Sequence, residues 1–444
     1  MSQAQDRPAS GATNVPRASG ATRDHLGRPL VAVTGIGLMT PLGFGVAESW
    51  AGLLAGRSGI RSITRFPTDH LKTSIAGAVD LPEDREGAPL TAAARVERLA
   101  VLAAEEAVAD AGIGGPGDFP GPLFLGMPPV EVEWPHRFDL ARHGQGPEAG
   151  RYPAMIAAAE GRRDLFETCL FGGVGERLAD RFGTRGAPIS LTTACATGAS
   201  AIQLGVEAIQ RGEAAAALCI GAEGSVQPES LIRFSLLSAL STRNDDPARA
   251  SRPFEKTREG FVMAEGAAAL VLESLEGARA RGARVLGLVL GCGERADKFH
   301  RTRSNPDGGA IIGAMRAAIA DAGLEPAQID YVNAHGTGTP ENDKMETLGM
   351  RAVFGDAPPP ISSNKSMIGH TLSAAGAIEA VFSLLTIRDG RLPPTINHET
   401  PDPAIPLDVV PNVARDAKVA RVLSNSFGFG GQNVCLVLGA EPAG

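Results

Sequence analysis

Short apolar runs bounded by glycine alternate along this chain with longer alanine-rich stretches. "RPLVAVTGIG" opens the pattern: residues 30–34 form a β-branched apolar run ended by glycines, which predicts a buried strand. An alanine-rich helix is predicted at 91–111, closing on Gly112, followed by a second short strand in "GPLFLGMPP". The stretch from there to about Gly173, with charged runs at 131–136 and 148–163, is expected to be the least regular part of the chain. From Ala187 the alternation resumes. Strands are predicted in "APISLTTA", "AALCIGAEG", "GAAALVLES", "VLGLVLGCGE" and "IDYVNAHG", with helices after Cys195, at 308–322 and at 365–388, before a final "VLSNSFGFGGQNVCLVLG". This order predicts α/β layers around a mixed sheet.

The pattern also repeats itself. Residues 195–212, "CATGASAIQLGVEAIQRG", lie over residues 373–390, "SAAGAIEAVFSLLTIRDG", without a gap, Gly198 on Gly376 and Gly212 on Gly390. Leu204, Val206 and Ile209 then fall on Phe382, Leu384 and Ile387. Both segments are apolar on most faces, so both are expected to be buried helices. A duplicated α/β unit with two central helices satisfies both observations.

The composition narrows the class. A chain of 444 residues, 43% hydrophobic and 21% charged, can bury one large core or two smaller ones. Its longest apolar runs, such as 214–222, fall short of the roughly 20 residues of a membrane helix. Residues 1–28, rich in Ala, Ser, Gly, Arg and Pro, are expected to be a disordered leader without a secretory core. Five cysteines without pairing rhythm argue against a disulfide framework or a zinc site and favour a reducing cytoplasm. The net charge of -8 gives no global footprint for nucleic acid or an anionic membrane.

Candidate chemistry gathers where elements end. In "TTACATGAS", Cys195 sits among small residues between a strand and a helix. Its position alone leaves two readings open: an inert core thiol, as Cys219 and Cys435 are read, or a nucleophile at a helix N-terminus that favours thiolate and holds an oxyanion. His335 follows a strand and leads into Gly336-Thr337-Gly338-Thr339, while His370 stands at the mouth of the second buried helix, five residues after Lys365. Two histidines and a lysine at element ends form a concentrated set. Neither histidine has a carboxylate at metal-ligand spacing, so no metal site is expected, and no cofactor is called for. "SNSFGFGGQN" is either a tight turn or a mobile lid with a backbone amide to spare.

These motifs, "TTACATG", "NAHGTGTP", "NKSMIGHTLSAAGAIE" and "SNSFGFGGQN", in this order, resemble the active-site motifs of the β-ketoacyl-[acyl-carrier-protein] synthase II family. The similarity runs from about Leu30 to Leu438 and includes residues 240–273. It implies a thiolase-like fold, a duplicated α/β unit in five α-β-α-β-α layers, with an N-terminal half at 29–286 carrying the nucleophile and a C-terminal half at 287–442 carrying the histidines. The implied activity is acyl transfer to Cys195 followed by decarboxylative Claisen condensation with malonyl-acyl carrier protein, in a cytoplasmic homodimer. By the same resemblance His335 and His370 drive decarboxylation, Lys365 supports them from a pair with Glu379, and the amides of Cys195 and Phe429 form the oxyanion hole. Phe429 is the implied gate between half-reactions, and Thr302, Thr337 and Thr339 match positions that bind the pantetheine arm.

Three departures stand out: "LGMPPVEVEWPHRF" at 125–138 replaces a glycine-rich strand end, Ser238 stands where an arginine is common, and Gln432 where a threonine is. They imply an unusual acyl-pocket floor and a specialised acyl chain and carrier. With "EVEWP", "CATGASAIQLGVEAI" and "GFGGQN", the chain looks most like an alphaproteobacterial branch linked to very-long-chain acyl groups of lipid A. The rivals are a thiolase acting on CoA thioesters, which needs a second cysteine motif that Cys435 does not match, a polyketide-type ketosynthase, and a type III enzyme, which has asparagine where His370 stands. A chain-length partner subunit would lack Cys195.

Overall fold

Val31–Thr40 (β1) is buried at every position, because helices cover both faces of the sheet it belongs to. The sequence places this strand's end at its first glycines, but the strand continues through them. A Cβ on Gly35 or Gly37 would meet the carbonyl oxygens of Ala107 or Ala103 at 2.1 and 1.9 Å, so these glycines let a helix lie directly on the strand. That helix is Ala92–Ala111 (α1), capped by the Thr91 hydroxyl, which accepts from the Ala94 amide, and ended by left-handed Gly112. The computed structural model describes residues 20–85, 90–143 and 151–442. Of the leader expected at 1–28, residues 1–19 lie outside the described residues; Arg23 and Pro29 bridge in a turn whose Arg28 pairs with Asp24 and Asp321.

The N-terminal half continues with Leu123–Gly126 (β2), Trp134–His143 (α2), Tyr152–Ala159 (α3), Arg163–Cys169 (α4), Gly173–Phe182 (α5), Ile189–Leu191 (β3), Thr197–Gln210 (α6), Ala216–Glu223 (β4), Pro228–Leu236 (α7) and Gly266–Ser274 (β5). The C-terminal half adds Gly287–Ala296 (β6), Gly309–Asp321 (α8), Tyr331–Asn333 (β7), Pro340–Phe354 (α9), Ile361–Ser362 (β8), Ala375–Asp389 (α10), Arg421–Phe427 (β9) and Gln432–Gly439 (β10). The strands run β1-β5-β4-β2-β3 in one half and β6-β10-β9-β7-β8 in the other, with the same parallel and antiparallel pairings. The half-sheets join where Val31, Ala32 and Val33 pair with Val289, Leu288 and Gly287.

The layers follow from burial. Helix α1 covers one half-sheet, α8 with α9 beside it covers the other, and α6 and α10 lie between them. Helix α10 is buried without interruption from Ala375 to Thr386, and its side chains join those of α6 and both half-sheets in one apolar core. At the crossing of the central helices, a Cβ on Gly198 would meet the Ala377 amide nitrogen at 2.7 Å, and one on Gly376 the Ala199 nitrogen at 2.6 Å. The repeat visible in the sequence is thus a near two-fold relation, each glycine seating the other helix.

Two expectations need correction. The segment read as irregular contains helices α2, α3 and α4, whose single buried residues are Leu140, Ala154 and Leu165, so no apolar stripe marks them. Exposed ion pairs accompany them, Arg162–Asp139 between the start of α4 and α2 and Arg163–Glu167 within α4. The helix expected at 365–388 is broken: after a turn at Lys365–Ile368, Gly369 takes φ 77° and the His370 amide donates to Val262 O at 2.7 Å, away from the helical path. No described helix is long and apolar enough to cross a membrane.

Candidate active site

The turn from β3 into α6 is built on Ala194, whose φ of 50° is left-handed and costs a non-glycine residue about 1–3 kcal/mol. The Thr197 hydroxyl holds that geometry: it accepts from the Thr193 amide at 2.8 Å and donates to Ala194 O at 2.5 Å. Cys195 follows at once, 7% exposed, ahead of a helix whose N-cap, Ala196, offers no capping side chain. The positive end of the α6 dipole therefore stands close to the sulfur, although the Thr197 amide itself donates to Ala194 O at 3.2 Å. Burial nevertheless pushes the Cys195 thiol up to about 11, with the Phe429 amide and the Lys365 ammonium pulling the other way. At neutral pH the resting group is a thiol.

The histidines arrive from the other half. His335 leaves the end of β7, and its loop is pinned from below by Glu346 on α9, whose carboxylate accepts from the amides of His335 (2.9 Å) and Gly336 (2.7 Å) and from Asn425 Nδ2 (3.0 Å). His370 sits in the break before α10, where its Nδ1 accepts from the Leu372 amide at 3.3 Å. That bond leaves the proton on Nε2, which is buried and has no protein partner. The two rings meet edge to face with centroids 5.2 Å apart, Phe261 closing against His370 and Phe427 against His335. Burial, reinforced by Lys365, holds both imidazoles well below their ordinary value, so both are neutral.

Lys365, 1% exposed, donates to Glu379 on α10. Burial pushes the Glu379 carboxyl up to about 7 against the pull of that lysine. A ligand atom from each of Cys195, His335 and His370 lies within 4.8 Å of the others, a cluster that distance alone would allow to hold a metal ion. The expectation of no metal rested on spacing along the chain, which does not reveal this cluster. The Lys365 cation, which acts on both imidazoles, opposes a divalent ion there and suits a developing anion.

Cys195 stands where two cavities meet. One, of about 60 Å³, opens past Thr302, Thr337 and Thr339, the last two joined by a 2.9 Å hydroxyl bond. The other, about 480 Å³, runs behind the sulfur along Met127 to Glu131, the segment that departs from the family pattern. Cys195, Leu372 and Phe429 line both. The loop carrying Phe429 is tied by Gly428 N to Gln432 O at 2.6 Å and by Gly430 N to Arg301 O at 2.8 Å. The structure therefore gathers Cys195, His335, His370, Lys365, Glu379 and Phe429 around one point, with the three threonines along the approach. Sequence reading missed Glu346, Asn425 and Glu223, the last of which accepts from the Ser225 and Ser373 amides beside the larger cavity. For Glu223 and Asn425 the only sequence signal was a carboxylate or amide in an otherwise apolar or glycine-rich neighbourhood, and Glu346 carried none.

A buried thiol facing two neutral imidazoles, on paired strand ends of a duplicated α/β unit, defines a condensing enzyme of thiolase-like fold. The chain belongs to the beta-ketoacyl synthase family: the N-terminal domain of that family matches residues 29–278 and the C-terminal domain residues 286–399. The chain is 38% identical to the 3-oxoacyl-[acyl-carrier-protein] synthase 2 of Coxiella burnetii, over 92% of this chain and 98% of that one. Among solved structures it is similar to the ishigamide ketosynthase/chain length factor, with a TM-score of 0.80 and 38% identity over 93% of this chain and 100% of the other. It is also similar to the type II polyketide ketosynthase AntDE in complex with its acyl-carrier protein, with a TM-score of 0.81 and 31% identity over 93% and 100%.

Proposed function

We propose that this protein is a β-ketoacyl-acyl carrier protein synthase that condenses an acyl group with malonyl-acyl carrier protein in fatty acid elongation. The observation that carries the proposal is the placement of Cys195 at the junction of two cavities, facing two neutral histidines. In the first half-reaction the Cys195 sulfur attacks the acyl thioester, and the carrier thiol leaves with the proton that the sulfur gives up. The amides of Cys195 and Phe429 hold the tetrahedral oxyanion. In the second, the malonyl C–C bond breaks, carbon dioxide leaves, and the electron pair becomes an enolate whose oxygen takes hydrogen bonds from His335 and His370. The enolate carbon then attacks the acyl-Cys195 carbonyl and expels the thiolate. Lys365 supports the growing negative charge from its pair with Glu379, and Thr302, Thr337 and Thr339 guide the pantetheine arm.

The division of labour follows the duplication, residues 29–286 supplying the nucleophile and 287–442 the histidines. A cytoplasmic homodimer fits the same reading: β3 ends its half-sheet with Ile189 46% exposed, an unpaired edge of the kind a second copy covers. The finer proposal is elongation of very long acyl groups such as those of lipid A, supported by the size of the cavity behind Cys195 and by the unusual segment that lines it. Intact mass spectrometry after incubation with acyl-loaded carrier protein tests the activity. The wild-type chain gains one acyl group and Cys195→Ala gains none; an adduct that survives Cys195→Ala contradicts the proposal.

A further inference from the structure

Among the described residues no charged side chain hydrogen-bonds either imidazole of the site, so each ring is placed by its backbone. The two backbones are held differently. Glu346 accepts directly from the His335 amide, whereas both backbone groups of His370 go to a neighbouring stretch of chain. The His370 amide donates to Val262 O at 2.7 Å, and its carbonyl accepts from the Ala264 amide at 2.9 Å. The same stretch supplies Phe261, whose ring lies edge to face with the imidazole. Whatever fixes residues 261–265 therefore fixes His370.

The alternate backbone groups of this stretch face the other way. Met263 O accepts from the Gly77 amide and the Glu265 amide donates to Gly77 O, both at 2.9 Å, at the end of the short strand Ile75–Gly77. The stretch is thus a bridge from Gly77 to His370, and its end is anchored by the Glu265 side chain. That carboxylate is fully buried. Its Oε1 accepts from Arg65 Nη1 at 2.7 Å, the Val79 amide at 2.8 Å and Arg95 Nη1 at 3.2 Å, and its Oε2 from Arg65 Nη2 at 2.8 Å. Arg65 also donates to Val226 O at 3.0 Å, and Arg95 to Val79 O at 3.2 Å and to Asp84. Two guanidiniums face two carboxylates, and none of the four side chains is more than 13% exposed. Such a buried cluster adds little stability over apolar side chains of the same volume, but a bidentate pair admits one register.

We infer that Glu265 is a positioning residue for His370. Clamped by Arg65 and Arg95, it sets the register of residues 261–265 and with it the point at which the His370 Nε2–H meets the enolate oxygen. The inference rests on the proposed ketosynthase reading and deepens it. Glu265 touches no substrate and moves no proton; it does for His370, through one strand, what Glu346 does directly for His335. The turn that carries Cys195 is held by Thr197 instead, so acyl transfer is insulated from this clamp.

The test uses the full chain and two reactions: adduct formation on Cys195 from acyl-loaded carrier protein, read by intact mass, and carbon dioxide release from malonyl-loaded carrier protein. Glu265→Gln keeps the shape and removes the charge. The double variant Arg65→Met/Glu265→Leu removes the pair together and leaves Arg95 with Asp84, so that no buried charge stands alone; where Glu265→Gln does not fold, the double variant carries the test. Both variants should form the adduct within about threefold of the wild-type rate, while kcat for carbon dioxide release falls about ten- to hundredfold with KM unchanged, the cost of displacing one donor by about 1 Å. A double variant that unfolds, or that slows both reactions in step, overturns the inference, since Glu265 then holds the fold and not the ring. Carbon dioxide release at the wild-type rate from the folded double variant overturns it too, and these results leave the ketosynthase reading intact. If release survives His370→Ala, the proposed role of His370 falls and the inference falls with it.

Discussion

Each half of the molecule places a left-handed residue just ahead of its central helix, Ala194 at φ 50° in one and Leu372 at φ 40° in the other, yet only the first elbow presents a thiol. Cys195 follows Ala194, and Ser373, which follows Leu372, gives its amide to Glu223 instead. The equivalent strand ends have diverged in the same sense. Beyond β2 the chain lines the larger cavity, whereas beyond β7 it delivers His335 and the hydroxyls of the approach. One scaffold built twice thus offers two strand-end platforms at a common seam. Under the proposed function, covalent capture sits on one and charge stabilisation on the other.

The largest effect expected from breaking this arrangement is at the buried pair that supports the second platform. Lys365→Met leaves Glu379 without its cation in the core and should cost about 3–5 kcal/mol in urea unfolding. The double variant Lys365→Met/Glu379→Leu should recover much of that loss, whereas equal losses in single and double variants would show that the pair is not the cause. Next comes the seam itself. Gly198→Ala and Gly376→Ala each drive a Cβ onto the opposite helix backbone and should each cost about 1–3 kcal/mol. Similar costs for the two would sharpen the two-fold relation, and a neutral result at either would break it.

The smallest effect concerns the chemistry of the first elbow. Because burial raises the Cys195 thiol, the thiolate that reacts with iodoacetamide is scarce at neutral pH. The alkylation rate should therefore climb about tenfold per pH unit from neutrality and keep climbing beyond the value of about 8.5 at which an ordinary thiol levels off. Levelling at or below that value would mean that the helix N-terminus and the Phe429 amide outweigh burial.

Much of this was legible in the sequence because the determinants are local. The alternation of apolar runs gave the layers, and the ungapped match of 195–212 with 373–390 gave the two central helices and their near-symmetry. Cys195, His335 and His370 stood out because each sits at an element end beside small residues. What stayed hidden depends on contacts distant in the chain. Glu346 looks like an ordinary helical glutamate until Asn425 and the amides of His335 and Gly336 converge on it. The break that frees His370 is paired with Val262, more than a hundred residues earlier in the chain, so no local period announces it. Helices α2 to α4 escaped notice because they bury too little to leave a stripe.

The central claim is that one half supplies the nucleophile and the other the histidines that drive decarboxylation, and His335→Ala puts it to the most direct test. Supplied first with acyl-loaded and then with malonyl-loaded carrier protein, this variant should still form the acyl adduct on Cys195. Its carbon dioxide release should fall by about 10²–10³-fold, the loss of one donor to a developing oxyanion. Carbon dioxide release at the wild-type rate, or loss of the adduct together with it, would contradict the division.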